Sequence, residues 1–191
     1  RFYDLVLGHV PFGNVQVPEM RNVPFAKFSI HNYFFAKALE MVRPGGLVAF
    51  ITSSGTMDAY TAGHRAYLNS VAKLVTAIRL PGGTFSGIAG TSVTTDLLIF
   101  QKREAKAAAS YEPKWAELVR VPTSSRICGS SSTALMTNEY FLVHPENVIG
   151  KLQSASTQYG GQTVVCKFEG DLAQARQERV AAMPEGIYKA R

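Results

Sequence analysis

The chain has 191 residues, enough for one hydrophobic core or for one core with a smaller appendage. Hydrophobic residues make up 46% of it and charged residues 18%, a globular composition that excludes an intrinsically disordered protein. The formal net charge of +6 favours a polyanionic partner such as nucleic acid without requiring one.

The positions of the cysteines and the lengths of the apolar runs indicate which classes of protein can be excluded. Cys128 and Cys166 are far apart in the sequence and have no CxxC spacing, so we expect neither a metal site nor a disulfide framework, and a reducing cytoplasm fits. No apolar run has the length of a membrane span, so we expect no membrane partner. The chain opens inside a strand pattern, and we expect that a segment normally precedes it.

The first elements follow from the hydrophobic pattern. The run YDLVLG (3–8) predicts a central parallel strand buried on both faces. Residues 13–28 contain prolines and predict a loop. Apolar residues at helical spacing in SIHNYFFAKALEMV (29–42), including Tyr33, Phe34 and Phe35 as core residues, predict a helix capped by Ser29 and ended by RPGG (43–46).

Residues 46–103 continue the alternation of predicted strands and helices. GLVAFITSS (46–54) predicts a second buried strand, Met57 to Lys73 a helix, and residues 74–81 a third strand. A glycine-rich loop (82–91) separates that strand from a fourth (92–103), which we expect to be its antiparallel partner. The pattern predicts an α/β fold.

The composition changes after Lys102. An Ala-rich segment (104–117) and a Ser-rich segment (122–132) precede helix-like stretches at 138–153, interrupted at Pro145, and at 170–183. We therefore predict a boundary near residue 105, with residues 1–105 as the main domain and residues 106–191 as a linker and helical extension.

The turn His9-Val10-Pro11-Phe12 follows the first strand. Ligands of open α/β sheets lie beyond the carboxyl ends of the strands, where this turn lies. Proline fixes the backbone, an aromatic ring offers a stacking face, and a preceding polar group can bond the edge of a stacked ring. This combination suits a nucleobase taken out of its duplex. The alternative is a rigid turn with Phe12 in the core and His9 merely solvated.

Several segments resemble one family in the same order. LVLGHVPFG (5–13) resembles the catalytic motif of amino-group DNA methyltransferases, in which Asn, Asp or Ser precedes Pro-Pro or a variant and an aromatic residue. Four further segments are similar to the large adenine-N6 methylases of bacterial plasmids and integrative elements, which often carry a helicase segment: residues 29–58, 77–85, 90–103 and 138–150. The resemblance extends from Tyr3 to about Leu172.

The resemblance implies a partial Rossmann-like methyltransferase sheet, with its later strands and terminal hairpin, followed by a small helical C-terminal extension. It implies a fragment of an S-adenosylmethionine-dependent DNA adenine-N6 methyltransferase of the restriction-modification type, with DNA as partner. In that chemistry the extruded adenine stacks on Phe12, Pro11 sets the turn, and His9 takes the position that accepts a hydrogen bond from the target amine.

Two departures from the family lower the expected activity. His9 stands where the family has Asn, and a neutral imidazole offers one acceptor on a larger ring. The glycine-rich cofactor segment is missing from this sequence, so we expect poor binding of S-adenosylmethionine and either a homodimer or a separate N-terminal methyltransferase half. The alternative function is a non-catalytic methylase remnant that binds DNA or another protein.

The remaining polar residues have structural explanations beside functional ones. We expect His31 and His64 to be exposed or hydrogen-bonded rather than ligands, and His144 to mark a bend before Pro145. Ser53, Ser54 and Thr56 either cap a helix or line a crevice. Arg79, Lys102 and Arg103 are either solvated strand-end charges or phosphate contacts.

Overall fold

The computed structural model describes residues 2–13, 15–85, 93–104, 113–121, 135–156 and 162–188. Its strands are β1 (Tyr3–His9), β2 (Val42–Ser53), β3 (Ala72–Leu80), β4 (Thr95–Lys102), β5 (Leu118–Arg120), β6 (Met136–Asn138), β7 (Lys151–Ser156) and β8 (Gln162–Lys167). Its helices are α1 (Ile30–Met41), α2 (Gly55–Asp58), α3 (Gly63–Val71), α4 (Pro113–Ala116), α5 (Glu139–Val143) and α6 (Leu172–Ala181), with a 3₁₀ turn at Pro145–Asn147. The predicted α/β class is confirmed.

A mixed four-stranded sheet in the order β1-β2-β4-β3 forms the centre of the fold. β1 and β2 are parallel, and β4 runs antiparallel to both β2 and β3, which confirms the predicted antiparallel pair. The register places His9 opposite Ile51, and Thr95 opposite both Ser53 and Leu80. The carboxyl ends of β1, β2 and β3 therefore meet at one edge of the sheet, here called the carboxyl edge.

The main core lies between α1 and the sheet. Phe35 of α1 packs against Phe50 and Phe100, with ring centroids 5.0 Å and 5.5 Å apart, and Phe100 in turn packs against Trp115 at 5.3 Å. Such aromatic pairs contribute about 0.5–1.5 kcal/mol each beyond the area they bury. Trp115 lies beyond the predicted boundary near residue 105, so residues from both sides of it share this core.

β1 is parallel, as predicted, but it lies at the outer edge of the four-stranded sheet. Leu5 is 46% exposed and Leu7 68% exposed, so the prediction of a strand buried on both faces is wrong for the described structure. Phe34 on the neighbouring helix is 37% exposed and is not a core residue either, unlike Tyr33 and Phe35.

The helix boundaries also differ from prediction. The helix predicted at 57–73 is replaced by the end of α2, a break at residues 59–62, α3 and the first residues of β3. In the break, the Ala59 carbonyl accepts a hydrogen bond of 2.7 Å from the Arg65 guanidinium. RPGG does not separate helix from strand, since β2 already begins at Val42. Ser29 makes no side-chain cap to α1; its hydroxyl instead accepts from the Asn32 amide at 3.0 Å.

The C-terminal segment is mixed rather than only helical. Besides α4, α5 and α6 it contains two antiparallel ladders, β5–β6 and β7–β8. It docks on the main sheet through backbone contacts: the Ile149 N–H donates to the Arg79 carbonyl, and the Gly82 N–H donates to the Cys166 carbonyl, each at 2.9 Å. No helix within the described ranges is both long and apolar enough to cross a lipid bilayer.

Arg79 holds these parts together from inside. Its guanidinium is fully buried and donates two hydrogen bonds to Asp96 on the facing strand, at 2.8 Å and 2.9 Å. A third nitrogen lies 2.8 Å from the carboxylate of Asp58 at the end of α2, and the Phe141 ring stacks 4.0 Å below the guanidinium carbon. Burial alone disfavours the charge, but the two carboxylates hold the pKa of Arg79 above its usual value, so it stays charged.

Candidate functional site

The His9-Val10-Pro11-Phe12 turn lies at the carboxyl edge, where β1 ends. Val10 is buried, and its N–H donates to the Ile51 carbonyl of β2 at 3.2 Å, which anchors the turn to the sheet. His9 and Pro11 are exposed and Phe12 is half-buried. Gly13 follows with φ of +151°, a conformation that favours glycine. The turn thus presents His9 to the surface beside an accessible phenylalanine ring.

Two phenylalanine rings flank the His9 imidazole. Phe12 lies edge-on to it, with centroids 5.0 Å apart and planes at 78°. Phe85 also contacts it, with ring centroids 5.8 Å apart and planes tilted by 35°. We call this group (His9, Phe12 and Phe85) the aromatic corner.

The sequence analysis does not single out Phe85, because residues 82–91 have the composition of a glycine-rich connection between two strands. The loop follows β3, whose carboxyl end meets the same edge of the sheet as β1. That shared edge is the signal that could have found it. Residues 86–92 of the same loop lie outside the described residues.

The aromatic corner has the chemistry of a stacking site. A neutral imidazole carries one hydrogen-bond donor and one acceptor, and two benzene rings stand beside it. Stacking of a base on an aromatic side chain is worth about 1–3 kcal/mol, comparable to the few kcal/mol needed to extrude a base from a duplex.

A polar cavity of about 480 Å³ lies between the loop after β1, the start of α1 and the start of α3. Its walls include His31, Asn32 and His64. The His64 Nε2–H donates to the Thr56 carbonyl at 2.8 Å, and burial lowers the pKa of His64 to about 4. His31 Nε2 lies 3.2 Å from the Ser29 hydroxyl, and burial lowers its pKa as well. Both imidazoles are therefore neutral, hydrogen-bonded parts of the wall at pH 7.

The serine-rich stretch at the end of β2 does not cap α2. Ser54 stands at the N-cap position without a side-chain cap bond, and the Thr56 hydroxyl lies 3.0 Å from that of Thr52 inside the protein. Gly55 lines the polar cavity. His144 directly follows α5 as its C-cap, which confirms the predicted helix boundary, and its imidazole lies 3.0 Å from Glu146.

The three basic residues at the ends of β3 and β4 do not form a phosphate site. Arg79 is buried in its ion pairs, so both the phosphate and the solvated interpretation are wrong for it. The Lys102 ammonium donates to the Val42 carbonyl at 2.8 Å, and the Arg103 guanidinium donates to the Asn69 carbonyl at 3.1 Å. All three side chains are used to join elements of the fold.

The described ranges contain neither a nucleotide-binding turn for a cofactor nor a cluster of metal ligands. None of the described strands is followed by a glycine-rich turn that opens a helix, the arrangement that cradles nucleotide cofactors. The described residues therefore contain no cradle of this kind for S-adenosylmethionine. Within the same ranges no three His, Cys, Asp or Glu side chains cluster as a metal site. Burial raises the pKa of the Cys166 thiol to about 11, which makes it unreactive, and Cys128 lies outside the described residues.

Comparison with known proteins gives partial structural likenesses. The sequence matches no protein-family model and no curated protein. Among solved structures, the chain is similar to the M protein of the type I restriction enzyme EcoKI, with 16% identity, a TM-score of 0.47, and coverage of 95% of this chain and 48% of that one. It is similar to a modification subunit of a type I restriction enzyme from Vibrio vulnificus, with 18% identity, a TM-score of 0.44, and coverage of 86% and 37%.

A third solved structure is described as a class I S-adenosylmethionine-dependent methyltransferase from Listeria monocytogenes. It shares 17% identity with a TM-score of 0.45, and the match covers 58% of this chain and 35% of that one. The chain thus spans between about a third and a half of the length of these proteins.

Proposed function

We propose that the chain carries the target-base site of a DNA adenine-N6 methyltransferase and is a fragment of such an enzyme. The observation that carries the proposal is the aromatic corner: the imidazole of His9, in the family-like turn, packs against both Phe12 and Phe85 at the carboxyl edge. The four-stranded sheet supports it, because its two parallel strands and terminal antiparallel pair suit the later strands of a methyltransferase sheet.

In this proposal each residue of the corner has a separate role. An extruded adenine stacks against Phe12, with Phe85 closing the other side. Pro11 holds the turn so that the ring stays at the surface. His9 accepts a hydrogen bond from the exocyclic amine of adenine through its unprotonated nitrogen.

S-adenosylmethionine supplies the methyl group in this class of reaction. The described residues hold no cradle for it, so the chain alone contributes base positioning and depends on another segment or subunit for transfer. Because His9 replaces the amide of the family motif, we expect a weak acceptor and little or no activity.

Replacing Phe12 by alanine tests the base site without any cofactor. We expect the wild-type chain to bind a duplex with a mismatched adenine more tightly than a fully paired duplex, because the mismatched base costs less to extrude. Phe12→Ala should reduce this preference by about 1–3 kcal/mol, or roughly 5- to 150-fold, because the stacking face is lost. Fluorescence anisotropy with labelled duplexes measures both affinities.

Phe34→Ala is the matched control, because Phe34 is also an accessible phenylalanine but lies on α1, outside the corner. It should leave the preference unchanged. An unchanged preference in Phe12→Ala, or an equal loss in Phe34→Ala, contradicts the proposed base site. Transfer itself is assayed with labelled S-adenosylmethionine and duplex DNA, with an N-terminal methyltransferase half supplied and His9 changed to Asn. Absence of transfer there removes the enzymatic assignment.

The exposed strand β1 favours a second candidate function. In this alternative the chain is a non-catalytic module that associates with another chain through the unpaired side of β1. Within the described structure β1 pairs only with β2, and with α1 it lines an apolar groove of about 460 Å³ whose walls include Leu5, Leu7 and Met41. An unpaired strand edge with apolar side chains is a template for pairing with another chain. A second copy of this chain offers the same strand.

This candidate predicts a dimer that Leu7→Glu disrupts. A carboxylate in the apolar groove should raise the dissociation constant at least about tenfold, since burying an unpaired charge is costly. Sedimentation velocity measures the association, and Met20→Glu is the control because Met20 is 100% exposed in a loop. A wild-type chain that stays monomeric at every concentration contradicts this candidate.

A further inference from the structure

The β7–β8 ribbon stands beside the aromatic corner. The Cys166 carbonyl of β8 accepts from Gly82 directly after β3, and its N–H donates to the Thr94 hydroxyl at 3.2 Å. Phe168, just past the end of β8, packs in the same small hydrophobic cluster as Phe85. The end of β8 is therefore joined to the loop that supplies one wall of the corner.

A close backbone contact fixes the base of the ribbon. Gly150 has φ of +128°, and a Cβ added there would lie 2.3 Å from the Lys167 carbonyl oxygen. Only glycine permits this approach of the two strands. The close approach of Gly150 to Lys167 therefore fixes where the ribbon begins relative to the carboxyl edge.

The two faces of the ribbon differ in polarity, as strand alternation requires. One face packs inward with Val164 and Cys166. The other, which we call the outer face, consists of Lys151, Gln153, Ala155, Thr163, Val165 and Lys167. It carries two lysines, an amide and a hydroxyl, and no carboxylate.

Lys151 and Lys167 are directly opposite each other in the antiparallel register, and both are exposed. Like charges at opposed positions destabilise a strand pair. Neither ammonium group lies in a salt bridge with a described residue. Glu169 lines the same shallow groove of about 350 Å³ but forms a salt bridge with neither lysine. An external anion is what would stabilise this pair.

We infer that the outer face of the β7–β8 ribbon contacts the phosphate backbone of the DNA duplex whose extruded base enters the aromatic corner. The inference rests on the proposed function and adds the surface that holds the duplex. A two-stranded ribbon is narrow enough to lie along a major groove, and its lysines supply the phosphate contacts that fix register without reading sequence. The net charge of +6 suits a polyanion.

The test replaces the two lysines singly and together by glutamine and measures binding to a fully paired DNA duplex by fluorescence anisotropy over a range of salt concentrations. Each phosphate contact that is lost should reduce the slope of log affinity against log salt by about 1, so Lys151→Gln and Lys167→Gln should each lose about 1 and the double variant about 2. Lys73→Gln is the control, because Lys73 is an exposed lysine near the opposite end of β3, and its slope should equal that of the wild type. Circular dichroism verifies that each variant is folded.

Three results overturn the inference: a wild-type chain that does not bind the duplex, slopes unchanged in the double variant, or an equal change in Lys73→Gln. Tighter binding of an RNA duplex than of the DNA duplex also overturns it. The proposed function fails separately. If the slopes fall as expected while the mismatched adenine gives no preference, the ribbon binds DNA and the base site is wrong. If Phe12→Ala removes the preference for the mismatched adenine while the salt slopes of the lysine variants stay at the wild-type value, the base site is supported and the inference about the ribbon is wrong.

Discussion

Replacing Arg79 by methionine should lower the free energy of unfolding by about 3–5 kcal/mol, a large part of the 5–15 kcal/mol typical of a domain. Most of this loss comes from the buried Asp96 carboxylate, which is left without a partner, and less from the lost attraction between the charges. Asp96 is fully buried, and its two hydrogen bonds from the guanidinium disappear together with the ion pair to Asp58. Urea denaturation monitored by tryptophan fluorescence measures the change, since Trp115 is buried in the core.

The double variant Arg79→Met with Asp96→Leu distinguishes an unpaired charge from lost packing. It removes the fully buried carboxylate and should be more stable than Arg79→Met alone, because no charge is then left fully buried without a partner. Arg120→Met is the matched control, since Arg120 is exposed on β5, and it should change the free energy of unfolding by less than about 0.5 kcal/mol. A loss below about 1 kcal/mol in Arg79→Met would show that the buried ion pairs are not required for folding.

Acidification should destabilise the chain between pH 6.5 and about 4 because of His64. Its pKa falls from 6.5 to about 4 in the folded state, since burial disfavours the imidazolium. In this window the unfolded chain binds a proton that the folded chain does not, so the free energy of unfolding decreases as the pH falls and levels off below about 4. The contribution of this residue is about 3 kcal/mol at most, and His31, whose pKa is also lowered by burial, acts in the same direction.

Denaturant midpoints measured from pH 7 to pH 4 test the His64 prediction against the variant His64→Gln. The amide can still donate to the Thr56 carbonyl but does not titrate, so the variant should lose less stability over this range than the wild type. Parallel curves for His64→Gln and the wild type would contradict the prediction.

The buried ion pairs and the aromatic corner are linked by the chain. Arg79 is followed by Leu80, Pro81 and Gly82, which lead directly into the loop that carries Phe85. The Arg79 carbonyl also accepts a hydrogen bond from the N–H of Ile149, which lies just before the ribbon begins. We therefore expect the positions of Phe85 and of the ribbon to depend on this internal network.

Several parts of the fold could be predicted from local patterns. Apolar runs with β-branched residues placed the four strands of the sheet, helical spacing placed α1, and the glycine-rich interval placed the antiparallel partner of β3. His9, Pro11 and Phe12 stand out as candidates in the sequence because proline, glycine and an aromatic residue after an apolar run indicate a defined turn; their role in binding a base stays a prediction. The helix predicted at 57–73 is divided in the structure, where the Arg65 guanidinium donates both to the Ala59 carbonyl and to the Ala116 carbonyl, and a contact with a residue as distant in the chain as Ala116 leaves no local pattern.

By itself, the sequence determined the α/β class, the antiparallel pair and the candidate turn, since periodicity and turn chemistry act over a few neighbouring residues. Only the tertiary structure decided that β1 lies at the sheet edge with Leu7 exposed, that Arg79 is buried between Asp58 and Asp96, and that Phe85 stands beside His9. Each of these depends on residues far apart in the chain that meet only when the strands are ordered. An apolar run has the same pattern whether its strand is central or at an edge, and a strand-end arginine has the same pattern whether it faces water or two carboxylates.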